Sequence, residues 1–346
     1  MARVTLKTVA TAVGVSPATV SNAYNRPDQL SAELRERILA AAAELGFTGP
    51  DAAGRALRTG RSGAVGVLLT GQLSYAFSDP FAVALFAGLA SAVERTTSIV
   101  LLPLPRDEHG EPDLSVVRSA SIDALALLSL PANHPAADLA RARGISLVTT
   151  DRVDDPDASW VAIDDRLTGS LVGEHLADLG HTDVLVVAPT NVGVPGAAVE
   201  VVAPSRITDA DYGARLAGLS DALDRRITLV TAGINDFASG LQVSQWLLER
   251  EHLPTAVVGL SDVLALGVLE GLVAAGVDVP GTVSVCGFDD IAAAAPRGLT
   301  TVRQPITERG REIGRMLLDP AEGPRQVLMD VELVVRTSTA AARRSA

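Results

Sequence analysis

The stretch GVSPATVSNAYN, residues 14–25, predicts a short helix built from small and polar side chains. Gly14 suits the left-handed residue that ends a preceding helix. Ser16 is a favoured N-cap and Pro17 is favoured in the first helical turn, so a second helix begins almost as soon as the first one ends. Two helices joined this tightly form a helix-turn-helix.

The side chains of this second helix indicate what it contacts. Val20 and Ala23 are expected to face a small core, which turns the remaining side chains outward. Small outward side chains let a helix backbone enter a DNA major groove about 12 Å wide, where Asn pairs with adenine and the Ala methyl contacts thymine. A three-helix protein-docking module is the alternative that spacing alone leaves open. The residues expected at the DNA are Thr5, Ser16, Pro17, Ala18, Thr19, Ser21, Asn22 and Asn25.

Two further helices complete this head, which we assign to residues 1–48. Leu6, Val9, Ala10 and Val13 are spaced for one face of the first helix. A third helix is predicted after Ser31, and Gly46 ends it. The apolar residues expected on its buried face are Leu34, Ile38, Leu39, Ala42 and Leu45.

Residues 49–62 form a different kind of segment. They carry a predicted helix of about two turns, too short to be stable alone, and Gly54 weakens it by roughly 1 kcal/mol relative to Ala. Arg55, Leu57 and Arg58 are its candidate contact residues. The segment is either a flexible basic linker or a helix that folds only on a partner.

Composition separates the head from the rest of the chain. The 346 residues carry a net charge of −12, but residues 1–62 have a net charge of +3. A positive end on an acidic chain indicates that this end binds a polyanion. Cys286 is the single cysteine, so no internal disulfide is possible. The start of the chain lacks a signal-like apolar segment, and no apolar run is long enough to span a membrane, so we expect a cytoplasmic protein.

After residue 62 the pattern changes to apolar strands that alternate with helices. Runs such as AVGVLL (64–69) and ALALLSL (124–130) are continuously apolar, as expected for a parallel sheet covered on both faces. A second series begins at DVLVVAP (183–189). Two series predict two Rossmann-like α/β subdomains with a cleft between them.

Ligands of such sheets bind at the carboxyl ends of the strands. Asp151, Ser261, Asp262 and Asp289 follow apolar runs and are therefore candidate ligand contacts, with a helix N-cap as the alternative role of Asp262. Catalytic motifs are lacking: there is no G-x-S-x-G elbow, no P-loop, and no G-x-G-x-x-G after the first strand. The five histidines show no metal-ligand spacing. We therefore expect neither an enzyme nor a cofactor or metal site.

The motifs TLKTVATAVGVSPATVSNAYN (5–25) and GPDAAGRALRTGRSGAVGVLL (49–69) closely resemble the N-terminus of the LacI/GalR (lactose-repressor/galactose-repressor) family. The resemblance implies that residues 49–62 are a hinge helix that pairs in a dimer and enters the minor groove, with Leu57 as the wedging leucine. Many relatives carry Arg where this chain has Asn22, so the favoured operator bases are expected to differ.

The same resemblance implies a periplasmic-binding-protein type I core over residues 63–340, followed by a tail at 341–346. Its N-subdomain is expected at 63–164 and 291–323, and its C-subdomain at 165–290 and 324–340. Arg215 in DYGARLAGL and Asp289 in VSVCGFDD match effector-binding positions of the family. The full set of expected effector contacts is Asp79, Phe81, Asp151, Arg215, Asn235, Phe237, Ser261 and Asp289.

The sequence as a whole predicts a transcription regulator, most simply a repressor, which binds a palindromic operator as a homodimer. A small sugar-like or nucleoside-like effector in the cleft would control the affinity for the operator. Two alternatives remain at this point: a solute-binding protein of a transporter, or an architectural DNA-binding protein that ignores small ligands. The helix-turn-helix favours DNA binding.

Overall fold

The computed structural model describes residues 4–50, 54, 60–70, 73–93, 97–105, 111–130, 133–190, 196–224, 226–319 and 323–343. The chain divides into two compact units, Met1–Gly63 and Ala64–Ala346. The contacts predicted for Arg55, Leu57 and Arg58 of the hinge segment fall outside the described residues.

The first unit contains the three predicted helices: α1 (Leu6–Val13), α2 (Pro17–Asn25) and α3 (Ala32–Glu44). Gly14 ends α1 with a left-handed φ of 78°, as expected at a glycine cap. Ser31 caps α3 by accepting a hydrogen bond from the backbone N–H of Leu34. The helix-turn-helix predicted from residues 14–25 is confirmed.

A small apolar core holds these three helices together. Val9 of α1, Val20 and Ala23 of α2, and Ile38 of α3 are fully buried. Leu45 was predicted on the same buried face, but it is 38% exposed because α3 ends one residue before it. The apolar stripe therefore stops with the helix.

The second unit is built on two sheets. The strands of the six-stranded sheet are β1 (Ala64–Thr70), β2 (Ser98–Leu104), β3 (Ala124–Leu128), β4 (Ser146–Thr149), β5 (Trp160–Ile163) and β12 (Gln326–Met329). Those of the seven-stranded sheet are β6 (Val184–Ala188), β7 (Glu200–Val201), β8 (Ile227–Thr231), β9 (Ala256–Gly259), β10 (Ser284–Asp289), β11 (Thr300–Arg303) and β13 (Glu332–Val334). The strand orders are β12-β5-β4-β3-β1-β2 and β13-β11-β10-β9-β6-β8-β7. All pairs are parallel except β7–β8 and β11–β13.

Helices cover both faces of each sheet. Their bounds are α4 (Leu73–Ser78), α5 (Pro80–Val93), α6 (Ser115–Ser119), α7 (Pro135–Ala142), α8 (Asp165–Asp178), α9 (Ala210–Ala222), α10 (Phe237–Leu248), α11 (Asp262–Ala274) and α12 (Ile306–Leu318). One core of the first sheet is shared with α5 and α12 and the other with α6 and α7. In the second sheet α8 and α9 cover one face, and α10 and α11 cover the other. The predicted doubly covered parallel sheets are therefore present.

The chain passes from one sheet to the other at points that differ from two of the predicted crossings. The expected segments 291–323 and 324–340 are wrong, because β11 pairs with β10 in the second sheet and β12 pairs with β5 in the first. Strand β11 extends the second sheet with fully buried Thr300 and Thr301. The later crossings therefore lie between β11 and α12, and between β12 and β13.

Candidate functional site

The start of α2 presents an exposed polar surface. Ser16 Oγ accepts a hydrogen bond from the backbone N–H of Thr19 at 3.0 Å, which fixes the first turn of the helix. Pro17 and Ala18 are exposed, and Thr19 is half-buried. Because Val20 faces the core, this turn presents small side chains and backbone N–H groups to the outside. Such groups at a helix N-terminus bind phosphate oxygens. Thr5, at the N-cap of α1, is exposed as well.

Ser21 does not lie where the sequence analysis put it. It was expected to face outward, but only 5% of it is exposed. Asn25, one turn later, covers it: Asn25 Nδ2 donates to the carbonyl oxygen of Ser21 at 2.9 Å and to its hydroxyl at 3.2 Å. Asn25 itself stays exposed, so the outer surface at this turn belongs to Asn25 rather than to Ser21.

Asn22 has a neighbour that sequence reasoning missed. Asn22 Nδ2 donates to Gln29 Oε1 at 3.3 Å. Gln29 lies in the short turn Pro27–Gln29, outside the helical pattern from which the contacts were predicted. The hydrogen bond leaves the Asn22 carbonyl oxygen and one of its amide hydrogens for another partner.

In the second unit, Arg215 and Asp289 form a buried ion pair. Arg215 Nη1 lies 3.4 Å from Asp289 Oδ1, and both side chains are 7% exposed. Arg215 Nη1 also donates to the carbonyl oxygen of Leu260, and Nε donates to Asp165 Oδ1 at 2.8 Å. The neighbouring Asp209 caps α9 by accepting a hydrogen bond from the backbone N–H of Tyr212. Among the described residues, none accepts a hydrogen bond from Arg215 Nη2, so this nitrogen is the remaining donor of the guanidinium.

Close helix crossings place these groups. A Cβ atom added at Gly169 of α8 would lie 2.0 Å from the carbonyl oxygen of Arg215, and one at Gly218 of α9 would lie 2.0 Å from that of Arg166. Only glycine allows the two backbones to touch in this way. The crossing holds Asp165, in the first turn of α8, against Arg215 of α9.

Asp289 ends β10 in an unusual backbone conformation. Its φ of 113° is a left-handed value, rare for a residue with a side chain and typical of functional sites held by their surroundings. Burial raises the pKa of Asp289 to about 7, although Arg215 opposes the rise. Gln304 Nε2 donates to the same Oδ1 atom at 2.6 Å. Among the described residues none bonds to Oδ2, which is therefore the oxygen that remains for a ligand.

Asp151 follows β4 and is also buried. Thr150 Oγ1 donates to Asp151 Oδ1 at 2.9 Å, and burial raises the pKa of Asp151 to about 7. Burial also raises the pKa of Asp209 and Asp211, and Asp151 repels Asp211. These carboxyl groups lie close enough to interact, so a ligand that supplies several O–H or N–H donors would relieve their repulsion.

Ser261 and Asn235 are held by each other. Ser261 Oγ donates to Asn235 Oδ1 and accepts a hydrogen bond from the N–H of Leu264 as the N-cap of α11. The neighbouring Asp262 is fully buried, and it accepts hydrogen bonds from Thr301 Oγ1 and the N–H of Ile291. Asp262 therefore has a structural role, whereas Ser261 has both a capping role and a place at the strand end.

The last three predicted contacts differ in their surroundings. Asp79 is 7% exposed, accepts a hydrogen bond from the N–H of Phe81 at 3.1 Å, and is close enough to raise the pKa of Asp289. Phe81 packs against the core of the first sheet. Phe237, at the start of α10, is 41% exposed.

Three side chains of this site were missed. Gln304 directly follows β11 and Asp165 lies two residues after β5, so a search of the carboxyl ends of the strands could have found them. Arg309 gave no signal, because an arginine within a helix is usually exposed. In the structure it is 2% exposed.

Other features of the second unit do not form part of this site. A cavity of about 330 Å³ lies near the amino ends of β4 and β5 and includes none of the predicted effector contacts. Among the described residues, no cluster of histidine, cysteine or acidic side chains could hold a metal ion. None of the described helices is long and apolar enough to cross a membrane.

Comparison with known proteins links both units to one family. Residues 5–49 match "Bacterial regulatory proteins, lacI family", and residues 173–339 match "Periplasmic binding protein-like domain". An HTH-type transcriptional regulator of Mycolicibacterium smegmatis is 36% identical over 334 residues, which cover 92% of this chain and 91% of that protein.

Solved structures agree with this relationship. The complex of the transcriptional regulator CelR with cellobiose is 27% identical, has a TM-score of 0.64, and is matched over 97% of this chain and 100% of that chain. A LacI-family regulator of Enterococcus faecium with bound ribose is 25% identical, has a TM-score of 0.64, and is matched over 81% of this chain and 100% of that chain. The chain therefore belongs to the lacI family of bacterial regulatory proteins, and it is a DNA-binding transcriptional regulator rather than an enzyme.

Proposed function

We propose that this chain is a repressor whose affinity for operator DNA is set by a small polyhydroxyl effector. The observation that carries the proposal is the buried Arg215–Asp289 pair at the carboxyl end of β10, in which Arg215 Nη2 and Asp289 Oδ2 have no hydrogen bond to the described residues. An Arg fork and a carboxylate together recognise neighbouring hydroxyl groups, each of which both donates and accepts.

The proposed DNA contacts of the first unit divide into two kinds. Ala18 and Asn22 read base edges in the major groove, whereas the remaining residues hold the phosphates. The phosphate-side residues are Thr5, Ser16, Pro17, Thr19 and Asn25. Arg55 and Arg58 belong to the hinge contacts, with Leu57 as the minor-groove wedge. Two copies of the chain bind the two halves of a palindrome, since a symmetric dimer matches a symmetric site.

The effector contacts come from both sheets. Arg215, Asp289, Asn235 and Ser261 lie at the carboxyl side of the second sheet, and Asp151 follows a strand of the first. Asp79, Phe81 and Phe237 complete the proposed set. The excess of carboxyl groups over guanidinium groups favours a ligand rich in hydroxyl donors, such as a sugar. The cellobiose and ribose bound to the two relatives support this class of ligand.

The control of DNA binding follows from differential affinity. An effector that holds one arrangement of the two subdomains more tightly than the other shifts the population toward that arrangement. The hinge segments then gain or lose their place in the minor groove. We favour the inducer case, in which the effector releases the operator.

Two measurements on the full chain test the proposal. Operators selected from random DNA should change at one position of each half-site in Asn22→Ala, because a bidentate Asn–adenine contact contributes about 1–3 kcal/mol of discrimination. An unchanged preferred sequence would remove Asn22 from base reading.

The second measurement is calorimetry with a sugar panel that includes ribose and cellobiose, beside an operator-shift assay. Asp289→Asn should bind operator yet lose the response to the sugar that the natural chain binds, because the replacement amide donates where the carboxylate accepted. If the natural chain bound no member of the panel, or if Asp289→Asn bound the sugar with unchanged affinity, the proposed effector site would be wrong.

A further inference from the structure

Arg309 of α12 is a buried charged side chain, and each of its three guanidinium nitrogens donates a hydrogen bond. Its Nε donates to the carbonyl oxygen of Val161 at 3.1 Å, and its Nη2 donates to that of Thr150. Its Nη1 donates to Gln304 Oε1 at 3.1 Å. Each guanidinium nitrogen therefore has a protein partner, which fixes Arg309 against β4 and β5.

Gln304 takes its orientation from Arg309. A guanidinium only donates hydrogen bonds, so the Gln304 carbonyl oxygen must face it, and the amide nitrogen must then point the other way. That nitrogen donates to Asp289 Oδ1 at 2.6 Å. Gln304 is 5% exposed, so water does not compete well for either contact. The reverse orientation would place a carbonyl oxygen against a carboxylate.

The three residues connect the two sheets. Arg309 is bonded at the carboxyl side of the first sheet, Asp289 ends a strand of the second, and Gln304 lies where the chain crosses between them. The left-handed φ of Asp289 is a strained conformation that persists only when several contacts hold it. Gln304 supplies one of these contacts and Arg215 supplies another.

We propose that Gln304 is a positioning residue for the effector site. Arg309 fixes the orientation of Gln304, and Gln304 fixes the Asp289 carboxylate so that Oδ2 faces the ligand. The proposal rests on the proposed role of Asp289 as an effector contact. It adds that Arg309, which is bonded to the first sheet, orients the Asp289 carboxylate through the Gln304 amide. The second sheet alone does not fix this contact.

The carboxyl titration of Asp289 reports on this arrangement directly. Burial raises its pKa to about 7, and the Gln304 hydrogen bond is one of the interactions that oppose the rise. The other charged groups that act on Asp289 come from four helices or their flanks. They are Arg215 of α9, Asp165 of α8, Asp79 before α5 and Asp262 of α11.

The experiment follows the carbon-13 carboxyl signals of labelled aspartate in the full-length, ligand-free protein from about pH 5 to about pH 9, a range that brackets the raised carboxyl pKa. Asp289→Asn identifies the Asp289 signal by its loss. Gln304→Leu should shift the Asp289 midpoint upward, because the carboxylate loses a donor. Arg309→Met should also shift it upward, but should add no further shift in a chain that already carries Gln304→Leu.

Two variants make the test specific. Gln326→Leu removes a glutamine that donates to the carbonyl oxygens of Asp155 and Ala158, and it should leave the Asp289 midpoint unchanged. Gln304→Glu keeps an acceptor for Arg309 but places a second carboxylate beside Asp289, so it should raise the midpoint more than Gln304→Leu does. This variant tests the proposal even if the Arg309 variant does not fold.

Three results would overturn the proposal. They are an unchanged midpoint in Gln304→Leu, an equal effect of Arg309→Met with and without Gln304, and a Gln304→Glu midpoint no higher than that of Gln304→Leu. The titration needs no effector, so it can fail while sugar binding succeeds, and the calorimetry with sugars can fail while the titration succeeds.

Discussion

Replacement of Arg215 by methionine tests how strongly the buried ion pairs stabilise the second unit. The change removes a guanidinium that lies 2.8 Å from Asp165 Oδ1 and 3.4 Å from Asp289 Oδ1. All three side chains are at most 10% exposed, so solvent screens these charges little. Loss of one partner from a buried pair costs about 3–5 kcal/mol, whereas the similar volume of methionine keeps the packing cost small.

The cost should depend on pH in a definite direction. Arg215 lowers the pKa of Asp289, which burial holds at about 7, so its removal raises that pKa further. An acid whose folded-state pKa lies above its unfolded value of about 3.9 loses stability as the pH rises through the folded value. Arg215→Met should therefore lower the unfolding free energy less near pH 5 than near pH 8. The difference should be about 1 kcal/mol for each unit by which the Asp289 pKa rises above its value in the natural chain, counted up to pH 8.

The assay is urea unfolding of the full chain near these two pH values, with Arg303→Met as the matched control. Arg303 is half-exposed and pairs with Asp290 and Glu332, so its loss should cost at most about 1 kcal/mol at either pH. An Arg215→Met cost that is the same at both pH values, or no larger than that of the control, would refute the argument from buried charge.

Three further predictions concern single contacts. Gly218→Ala should destabilise the protein by about 1–3 kcal/mol or more, because its Cβ would overlap a backbone oxygen, whereas Gly213→Ala on the same helix meets nothing within 4 Å and should raise the thermal midpoint slightly. Ser16→Ala should lower the unfolding free energy of the first unit by about 1 kcal/mol in a circular-dichroism melt, since it removes the N-cap of α2. Asp151→Asn should remove part of the stability loss, on the order of 2–4 kcal/mol, that the ligand-free chain shows between about pH 4 and pH 7 in urea titrations.

Local signals in the sequence were sufficient for the helix caps and the alternation of strands and helices. Gly14 and Ser16 act through their own backbone and side chain, so their roles are readable without the fold. The strand-end rule placed Asp151 and Asp289 correctly at carboxyl ends, because this rule needs only the position of an apolar run. Arg215 came from a family motif, and its partners Asp165 and Asp289 could not be read from spacing.

Features that depend on pairing between distant segments were not readable. The short segment of β11 fits either sheet, and only its hydrogen bonds with β10 show which sheet it joins. Ser21 is polar and small, so its burial follows from the position of Asn25 rather than from its own chemistry. Arg309 is the strongest case: nothing in a helical pattern indicates that a guanidinium will be enclosed by carbonyl oxygens of two strands.

The late return of the chain to the first sheet has a consequence for synthesis. That sheet begins at Ala64 but receives its edge strand only from Gln326–Met329, so it is incomplete until almost the whole chain has left the ribosome. Domains usually fold in order from the N-terminus as they emerge. Here the first unit can finish early and be ready for DNA, whereas both halves of the second unit must wait for the same last segment. A chain that terminates before Gln326 would therefore lose strands from both sheets at once, whereas the three helices of the first unit would be complete.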